Sequence, residues 1–269
     1  MKDEAHDKLY TRTEYRRVIA WPERIRREAP FLARVFAEAP ARSLLDVGCG
    51  SGEHSRHFAE LGWTAVGIDV SDRMMGEAAE LAGETEAGGR VRFELRGAAE
   101  AAGLPEAPFG GAMSVGNTLA FVEGAGAMEE FLGGVAAALA PGAPFLIQML
   151  NYERILGLPV RALPVNVRPL PEGEGEGEIL FLRILQPRAD GNVDFYPVTL
   201  TLRPGEEPDV RVRDAKHFVH QGWTRPRLEP LLTAAGFRDI QVLGGMGDVP
   251  YDAMKSTDLV VTARNGDDR

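Results

Sequence analysis

The feature that most constrains this 269-residue chain is a glycine-rich segment at residues 46–52, which reads Asp-Val-Gly-Cys-Gly-Ser-Gly. It follows an apolar run at 43–47, which has the form of a buried strand, and precedes a helical pattern at 53–61. Glycines at alternate positions let the backbone turn sharply and approach a ligand without Cβ clashes. The amides at the start of the following helix suit a polar or anionic group. The segment therefore predicts a strand–turn–helix unit with a ligand at the turn.

Short apolar runs alternate with helical patterns through the first 150 residues, and the alternation resumes near residue 225. Strands that alternate with helices predict a mainly parallel sheet with right-handed crossovers. The predicted strands of this sheet are 43–47, 64–68, 91–95, 111–115, 145–149, 240–243 and 259–263.

The segment 151–220 departs from this alternation. Glycine and glutamate alternate over 172–178, a composition that is too polar and flexible to pack. The runs that follow, 179–185, 193–202 and 210–218, are typical of antiparallel strands separated by turns. We therefore predict an inserted antiparallel β unit.

Composition excludes several classes of protein. The net charge of -10 disfavours binding to phosphate backbones and to anionic membranes. The single cysteine, Cys49, allows no intrachain disulfide bond. The amino-terminal residues are polar, and no apolar stretch approaches the roughly 20 residues that a membrane helix needs. We therefore expect a cytoplasmic protein that binds neither nucleic acid nor membrane.

A second signal comes from Asp69, which ends the second predicted strand about 17 residues past the last glycine. A carboxylate at that place can accept hydrogen bonds from two ribose hydroxyls. A dinucleotide-binding turn has the spacing Gly-x-Gly-x-x-Gly. Here the spacing is Gly-x-Gly-x-Gly, with Asp46 two positions before the first glycine. This arrangement closely resembles the first motif of class I methyltransferases that use S-adenosylmethionine (SAM).

The resemblance extends along nearly the whole chain. A helix at 127–139, then Pro141-Gly142 and a strand, is similar to the late helix and proline-glycine turn of that family. Residues 231–237 are similar to its last helix and aromatic turn. The implied fold is α/β, with a Rossmann-like, seven-stranded, mainly parallel sheet, N-terminal helices and an inserted antiparallel β unit.

The resemblance also implies an organisation in three parts. Residues 1–40 form an N-terminal helical lid, 41–150 and 221–269 form the SAM-binding core, and 151–220 lie over the substrate site. Within the lid, Pro22 should begin or kink a helix, so two helices are expected there.

Three features are similar, more narrowly, to the glycine/sarcosine N-methyltransferase-like branch. Residues 115–121 resemble its Leu-Gly-Asn-Ser segment after the fourth strand. Residues 151–156 resemble its Asn-Tyr-Asp-x-Ile-Leu segment after the fifth. Arg24 falls at the offset where that branch places an arginine on the methionine carboxylate of SAM.

This resemblance implies a set of cofactor-binding residues. Gly48 and Gly50 cradle the methionyl part of SAM, Asp69 and Val70 hold the ribose and adenine, and Arg24 pairs with the carboxylate. The full set is Arg24, Asp46, Gly48, Cys49, Gly50, His54, Asp69, Val70, Met74, Ala98, Ala99, Val115 and Gly116.

The acceptor site follows from the same resemblance. Asn117 and Tyr152 are the predicted catalytic residues, since both follow strands at the edge where open α/β sheets place their ligands. The predicted substrate-binding residues are Tyr10, Tyr15, Asn151 and His217. His54 and His57 lie three apart on one helix, but no third ligand is evident, so no metal is predicted.

Several positions depart from the family pattern. An acidic or amide residue usually follows the third strand, where this chain has Ala98. An acidic residue usually begins the fourth strand, where this chain has Gly110. Glycine N-methyltransferase has a substrate-binding arginine where this chain has Leu150, so glycine is a doubtful acceptor.

The sequence thus predicts a SAM-dependent methyltransferase that acts on a small-molecule acceptor and yields S-adenosylhomocysteine. No His-Asp pair with the role of a general base is legible, which favours nitrogen over oxygen as the methylated atom. The alternative is a SAM-binding or SAM-sensing protein that has lost catalysis, as the departures at Ala98 and Gly110 would allow. The oligomeric state stays open between monomer and homodimer.

Overall fold

The structure is a computed structural model that describes residues 19–83, 88–171, 173–205 and 209–266. Its described α-helices are α1 (Trp21–Val35), α2 (Glu53–Glu60), α3 (Asp72–Gly83), α4 (Gly124–Ala138), α5 (Tyr152–Gly157) and α6 (Arg225–Ala234). Its described strands are β1 (Ser43–Val47), β2 (Thr64–Asp69), β3 (Val91–Leu95), β4 (Gly111–Ser114), β5 (Pro144–Leu150), β6 (Asn166–Pro169), β7 (Glu178–Pro187), β8 (Val193–Arg203), β9 (Asp209–Ala215), β10 (Phe218–His220), β11 (Phe237–Gly245), β12 (Val249–Pro250) and β13 (Asp258–Asn265).

The main sheet has the strand order β12-β11-β13-β5-β4-β1-β2-β3. The five strands from β5 to β3 run parallel, whereas β13, β11 and β12 add in antiparallel fashion. The seven predicted strands are confirmed, and β12 is an eighth at the edge. Strand β12 has only two residues, one of them Pro250, and so short a segment carries no sequence pattern that would predict a strand.

The second sheet has the order β10-β8-β7-β6, and β9 also pairs with β8. The prediction of one strand over 210–218 was wrong, because the chain forms β9 and β10 with a break between them. The break lies opposite Pro197, which accepts a bond from the Lys216 amide but has no amide of its own to donate. The sequence also gave no sign of β6, which ends at Pro169 on the edge of this sheet.

Two apolar clusters lie on opposite faces of the main sheet. Neighbouring residues of β1 show this, because Leu45 packs in the cluster that contains α4 and α6, while Leu44 packs with Phe31 of α1 and Phe58 of α2. Successive side chains of a strand point to opposite faces, so the domain has a helix–sheet–helix layering. No helix in the described ranges is both long and apolar enough to cross a bilayer.

Helix α1 begins at Trp21 with Pro22 in its first turn, where a missing amide costs nothing. The other helix predicted for the N-terminal region falls before residue 19, outside the described residues. The boundaries of the predicted lid, core and insertion stay predictions.

Two glycines permit close backbone approaches. A Cβ at Gly110 would overlap the carbonyl oxygen of Ala41, which leaves no room for the acidic residue usual at that position. A Cβ at Gly134 of α4 would overlap the carbonyl oxygen of Ala98 and lie 2.5 Å from the Cα atom of Ala99. The turn after β3 is therefore packed directly on α4.

Neighbouring glycines of α4 give a matched test of this packing. Gly134→Ala should lower the free energy of unfolding by about 1–3 kcal/mol, because backbone atoms must move to admit the methyl group. Gly133→Ala should raise it by about 0.5–1 kcal/mol through helix propensity, since nothing lies within 4 Å of its added Cβ. Urea denaturation of both variants measures the difference, and equal effects would contradict this account of the packing.

Candidate active site

The glycine turn after β1 adopts backbone conformations that L side chains rarely enter. Gly48, Gly50 and Gly52 have φ angles of +69°, +55° and +82°. A Cβ at Gly48 would also overlap the side chain of Thr118, which follows β4. The positive φ angle and the lack of room for a Cβ atom therefore both require a glycine at position 48.

The carboxylate of Asp69 holds this turn in place. Its Oδ2 accepts a hydrogen bond from the Gly50 amide at 3.0 Å, and its Oδ1 accepts one from the Ser71 amide at 3.0 Å. The amides of Gly48 and Cys49 donate to the carbonyl oxygen of Ile68. The end of β2 therefore sets the position of the turn that follows β1.

A cavity of about 330 Å³ lies on this turn, and we call it the loop cavity. Every residue predicted from the sequence to hold the cofactor lines it, except Ala99. Ala99 is exposed and instead lies beside α4. Lining residues that the sequence did not predict are Trp21, Val47, Ser71, Arg96, Thr118, Phe121, Val122 and Phe131.

Asp46 places a buried carboxylate at this cavity. Its side chain is 1% exposed, and its Oδ2 accepts a hydrogen bond from Ser55 Oγ at 2.7 Å. Its Oδ1 is buried and has no hydrogen-bond partner among the described residues. Burial raises the pKa of Asp46 to about 6. The carboxyl thus offers an unused acceptor to a ligand that donates a hydrogen bond.

A buried ionic cluster joins α1 to the turn. Arg24 Nε donates to Glu28 Oε1 at 3.0 Å, and His54 Nε2 lies 2.8 Å from Glu28 Oε2. Trp21 stacks edge-on against His54 and lies beneath the Arg24 guanidinium at 5.0 Å. Burial alone would raise the pKa of Glu28, but the bond with His54 and the charge of Arg24 lower it. Glu28 therefore fixes Arg24 at the mouth of the loop cavity.

A second cavity of about 540 Å³ adjoins the first, and we call it the sheet cavity. The two cavities share the lining residues Arg24, Gly116 and Phe121. One wall is α1, another is the ends of β4 and β5, and the third is one face of the antiparallel sheet. The antiparallel sheet contributes Asn166, Arg168, Phe181, Arg183, Phe195, Pro197, Thr199, Asp214 and His220.

A hydrogen-bonded chain of three side chains lies behind this cavity. Asn117 Nδ2 donates to Tyr152 Oη at 3.0 Å, and Tyr152 Oη lies 3.0 Å from His220 Nδ1. His220 is 2% exposed, and burial lowers its pKa to about 3, so its ring is neutral near pH 7. Its Nε2 has no partner among the described residues. Burial raises the pKa of Tyr152 as well, so its hydroxyl keeps its proton.

The predicted catalytic and substrate-binding residues lie in different places relative to the sheet cavity. Asn117 lines the sheet cavity, with a left-handed φ of 75°. Tyr152 is fully buried and lines neither cavity, and its catalytic role stays a prediction. Tyr152 positions Asn117 and His220. Tyr10 and Tyr15 lie outside the described residues.

Asn151 and His217 also line neither cavity, and their contact with substrate stays a prediction. Asn151 is the N-cap of α5, and its Nδ2 donates to the carbonyl oxygens of Ala253 and Ser256. His217 lies 2.6 Å from Asp194, with half of its side chain exposed. The sequence pattern could not distinguish these roles, because polar residues after a strand serve as caps as well as ligands.

Other residues of the site were missed. Glu28 lies one helical turn after Arg24, and that i, i+4 spacing is a signal that sequence reasoning could have used. Arg183, Phe195 and Thr199 needed knowledge of which face of each strand is turned inward. Within the described ranges, no group of three His, Cys, Asp or Glu side chains is placed to hold a metal ion.

Comparisons with known proteins agree with this geometry. Residues 44–142 match the family model described as "Methyltransferase domain". A ubiquinone biosynthesis O-methyltransferase of Caulobacter sp. (strain K31) is 37% identical over 110 residues, which are 40% of each chain. The glycine/sarcosine N-methyltransferase of Parasynechococcus marenigrum (strain WH8102) is 40% identical over 62 residues, 23% of this chain and 22% of that one. The alignments thus span less than half the length of these relatives.

A solved structure is similar over almost the whole chain. SAM-bound CalS10, an amino pentose methyltransferase of Micromonospora echinaspora, has a TM-score of 0.66 at 16% identity and covers 92% of both chains. The chain therefore has the class I methyltransferase fold, and within it residues 44–142 match the methyltransferase domain model. The fold class predicted from the sequence is confirmed.

The cofactor of this class, SAM, fits the residues of the loop cavity. The unpartnered Oδ1 of Asp46 suits an amino group, and the Arg24 guanidinium suits a carboxylate. SAM carries both groups on its methionine part. The glycine turn leaves room for close approach of a ligand to the backbone.

The pKa of Asp46 gives a test of its burial. The folded chain holds a proton on this carboxyl that the unfolded chain releases between about pH 4 and 6. The free energy of unfolding should therefore fall as pH rises through that window, by on the order of 3 kcal/mol. Asp46→Asn should lose that part of the pH dependence and keep the bond from Ser55. Urea denaturation of both proteins without cofactor, at pH 4 and 6.5, measures it, and parallel pH dependence would contradict the shift.

Proposed function

We propose that this chain is a SAM-dependent methyltransferase that methylates a small-molecule acceptor at nitrogen. The observation that carries the proposal is the adjoining pair of cavities, which share Arg24, Gly116 and Phe121. One lies on the glycine turn of a methyltransferase domain, and the other is a separate chamber of about 540 Å³. Chambers of roughly 300–1,000 Å³ suit small-molecule ligands.

The loop cavity would hold SAM through three polar anchors. Asp69 would accept hydrogen bonds from the ribose hydroxyls, Asp46 would accept one from the amino group, and Arg24 would pair with the carboxylate. Apolar Met74 and Ala98 line the same cavity and would contact the adenine. When bound, SAM supplies a methyl group that its sulfonium already activates.

The work left to the protein is alignment and exclusion of water. Phe121 lies between the two cavities, and Phe195 stacks on His220 at 4.3 Å in the wall of the sheet cavity. Asn117 would orient the acceptor, because Tyr152 and the Leu150 amide hold its side chain. Since burial keeps His220 neutral, its ring adds no positive charge to repel a cationic cofactor.

Nitrogen is favoured over oxygen because His220, the histidine that lines the sheet cavity, has no carboxylate partner among the described residues. A hydroxyl acceptor needs a general base, whereas an amine needs only to arrive unprotonated. The buried His220 bonds to a tyrosine and not to a carboxylate. Of the two histidine–carboxylate pairs among the described residues, His54 with Glu28 has its ring in the wall of the loop cavity, and His217 with Asp194 lines neither cavity.

The relatives support a small acceptor without fixing its atom. Their names include a glycine/sarcosine N-methyltransferase and an amino pentose methyltransferase, beside an O-methyltransferase of ubiquinone biosynthesis. The sequence departures that suggested a SAM sensor without catalysis have a packing explanation. Gly110 has no room for a side chain, and Ala98 packs its backbone on Gly134. We therefore propose an active methyltransferase and not a SAM sensor without catalysis.

Calorimetric titration of the purified protein with SAM and with S-adenosylhomocysteine tests the cofactor site. Wild type should bind with micromolar affinity, and Asp69→Ala should bind roughly 100-fold more weakly, because two hydrogen bonds to a charged group are lost. Asp72→Ala is the matched control, since Asp72 is exposed and lines neither cavity. Absence of binding by folded wild type would overturn the proposal. If SAM binds, turnover of a panel of amines and phenols would separate nitrogen from oxygen acceptors.

The ionic cluster gives a second test. Glu28→Gln should weaken SAM binding about 10-fold, because Arg24 loses the charged partner that holds it at the cavity. Glu60→Gln is the control, since Glu60 forms the same kind of i, i+4 pair with Arg56 on an exposed surface. Equal affinities in the two variants, with thermal midpoints near that of wild type, would show that Glu28 does not position Arg24.

A further inference from the structure

In the antiparallel sheet, every second residue along the central part of each strand is apolar, and these apolar side chains lie on the same face of the sheet. In β7 and β8, Leu180 is opposite Leu200 and Leu182 is opposite Val198. Val212 of β9 is opposite Leu200 as well. Directly opposed residues of antiparallel strands point to the same side of a sheet. This outer apolar face comprises Val167, Leu180, Leu182, Ile184, Tyr196, Val198, Leu200, Leu202, Val210 and Val212.

The opposite face of the same strands is already in use. Phe181 and Arg183 of β7, with Phe195 and Thr199 of β8, line the sheet cavity. A sheet with one solvated face normally alternates apolar residues inward with polar residues outward. Here the inward residues include polar ones that line the cavity, and the outward residues are apolar. The outer apolar face therefore needs a cover.

Little of the described chain covers it: the ring of His217 stacks on Tyr196 at 4.8 Å at one end of the face. None of the residues of the outer apolar face belongs to an apolar cluster of the core. Ile184, Val167, Val210 and Val212 are 38%, 41%, 58% and 65% exposed. Single exposed apolar residues are ordinary, but a contiguous exposed patch is not.

The size of the face suits a protein interface. Four strands side by side at about 4.8 Å give a width of roughly 19 Å, and the longest apolar run, Tyr196–Leu202 of β8, gives a length of roughly 24 Å at about 3.4 Å per residue. The patch narrows toward its edge at β6, a strand of four residues. Exposed apolar patches above a few hundred Å² mark interaction sites. A specific interface needs about 600 Å² of accessible surface from each partner, and the relief of the side chains and a polar rim extend this patch toward that area.

We propose that a second copy of this chain covers the outer apolar face, with the two sheets packed face to face about a two-fold axis. A two-fold interface requires a patch that complements itself, and a flat face of Leu, Val and Ile without a charged residue at its centre meets that condition. Two sheets pack at about 10 Å with interdigitated side chains. A polar rim borders the face at one end, where Arg188 pairs with Asp194.

Chemistry disfavours a lipid surface as the occupant. The chain carries a net charge of -10, and anionic membranes attract basic surfaces. The polar rim also offers both signs of charge, which suits a like partner with the same pairs.

The proposed dimer would support the acceptor site indirectly. The strands that meet at the interface form, on their other side, a wall of the sheet cavity. Dimerisation should therefore stiffen that wall and leave the loop cavity, which the main sheet builds, unchanged.

Sedimentation equilibrium of the full chain at about 10–100 μM tests the proposal. Wild type should have twice the 29.2 kDa chain mass. Val212→Lys and Ile184→Lys, on either side of β8, should sediment as monomers, because each buries an unpaired charge in the proposed interface. Leu61→Lys is the control, since Leu61 is 51% exposed at the end of α2 and should leave the dimer intact.

A monomeric wild type would overturn the proposal, as would a dimer that both face variants leave unchanged. Binding of the monomer to anionic vesicles through the same face would overturn it in favour of a lipid surface. Far-ultraviolet circular dichroism confirms that each variant is folded. SAM titration of the monomeric variants keeps this result separate from the proposed function, because the mass does not depend on catalysis.

Discussion

The arrangement of the whole site depends on the hydrogen bonds that Asp69 accepts at the end of β2. Its two carboxylate oxygens bind the amides of Gly50 and Ser71, so one side chain fixes the glycine turn and the start of α3 together. The turn must pass under Thr118 with no side chain at Gly48. Because the turn is fixed from both sides, Asp46 and His54 at its two ends reach the same cavity.

A buried ionic cluster connects the glycine turn to helix α1. Glu28 accepts from Arg24 and bonds to His54, so α1 is tied to the helix that follows the turn. Charges out of water are tolerated only when paired, and a lone Glu28 would be costly. The pairing therefore specifies where α1 lies and brings Arg24 to the boundary of the two cavities. Arg24, Glu28 and His54 therefore set both the position of α1 and the charge at the proposed cofactor site.

The antiparallel sheet has two faces with different tasks. Its inner face gives the sheet cavity aromatic and cationic side chains, while Tyr152 and His220 connect that wall to Asn117 at the end of β4. Its outer face is apolar and lies outside the apolar clusters of the described core. In the dimer that we propose, the second copy packs against the outer apolar face and so supports this wall of the sheet cavity. Acceptor binding and assembly would then share the same strands.

The sequence by itself determined the parts of the protein that local chemistry dictates. Glycine spacing, the terminal Asp69 and the alternating apolar runs predicted the order of strands and helices. The family resemblance that they carry implied twelve of the twenty residues that line the loop cavity. These signals are readable because each glycine or carboxylate acts on its near neighbours in the chain. Only the tertiary structure decided the acceptor side. Whether Asn151 caps a helix, whether Tyr152 is buried and which face of β7 turns inward depend on segments that lie 35 to 105 residues apart. No local pattern encodes such long-range packing, and so Arg183, Phe195 and Thr199 entered the site only once the chain was folded.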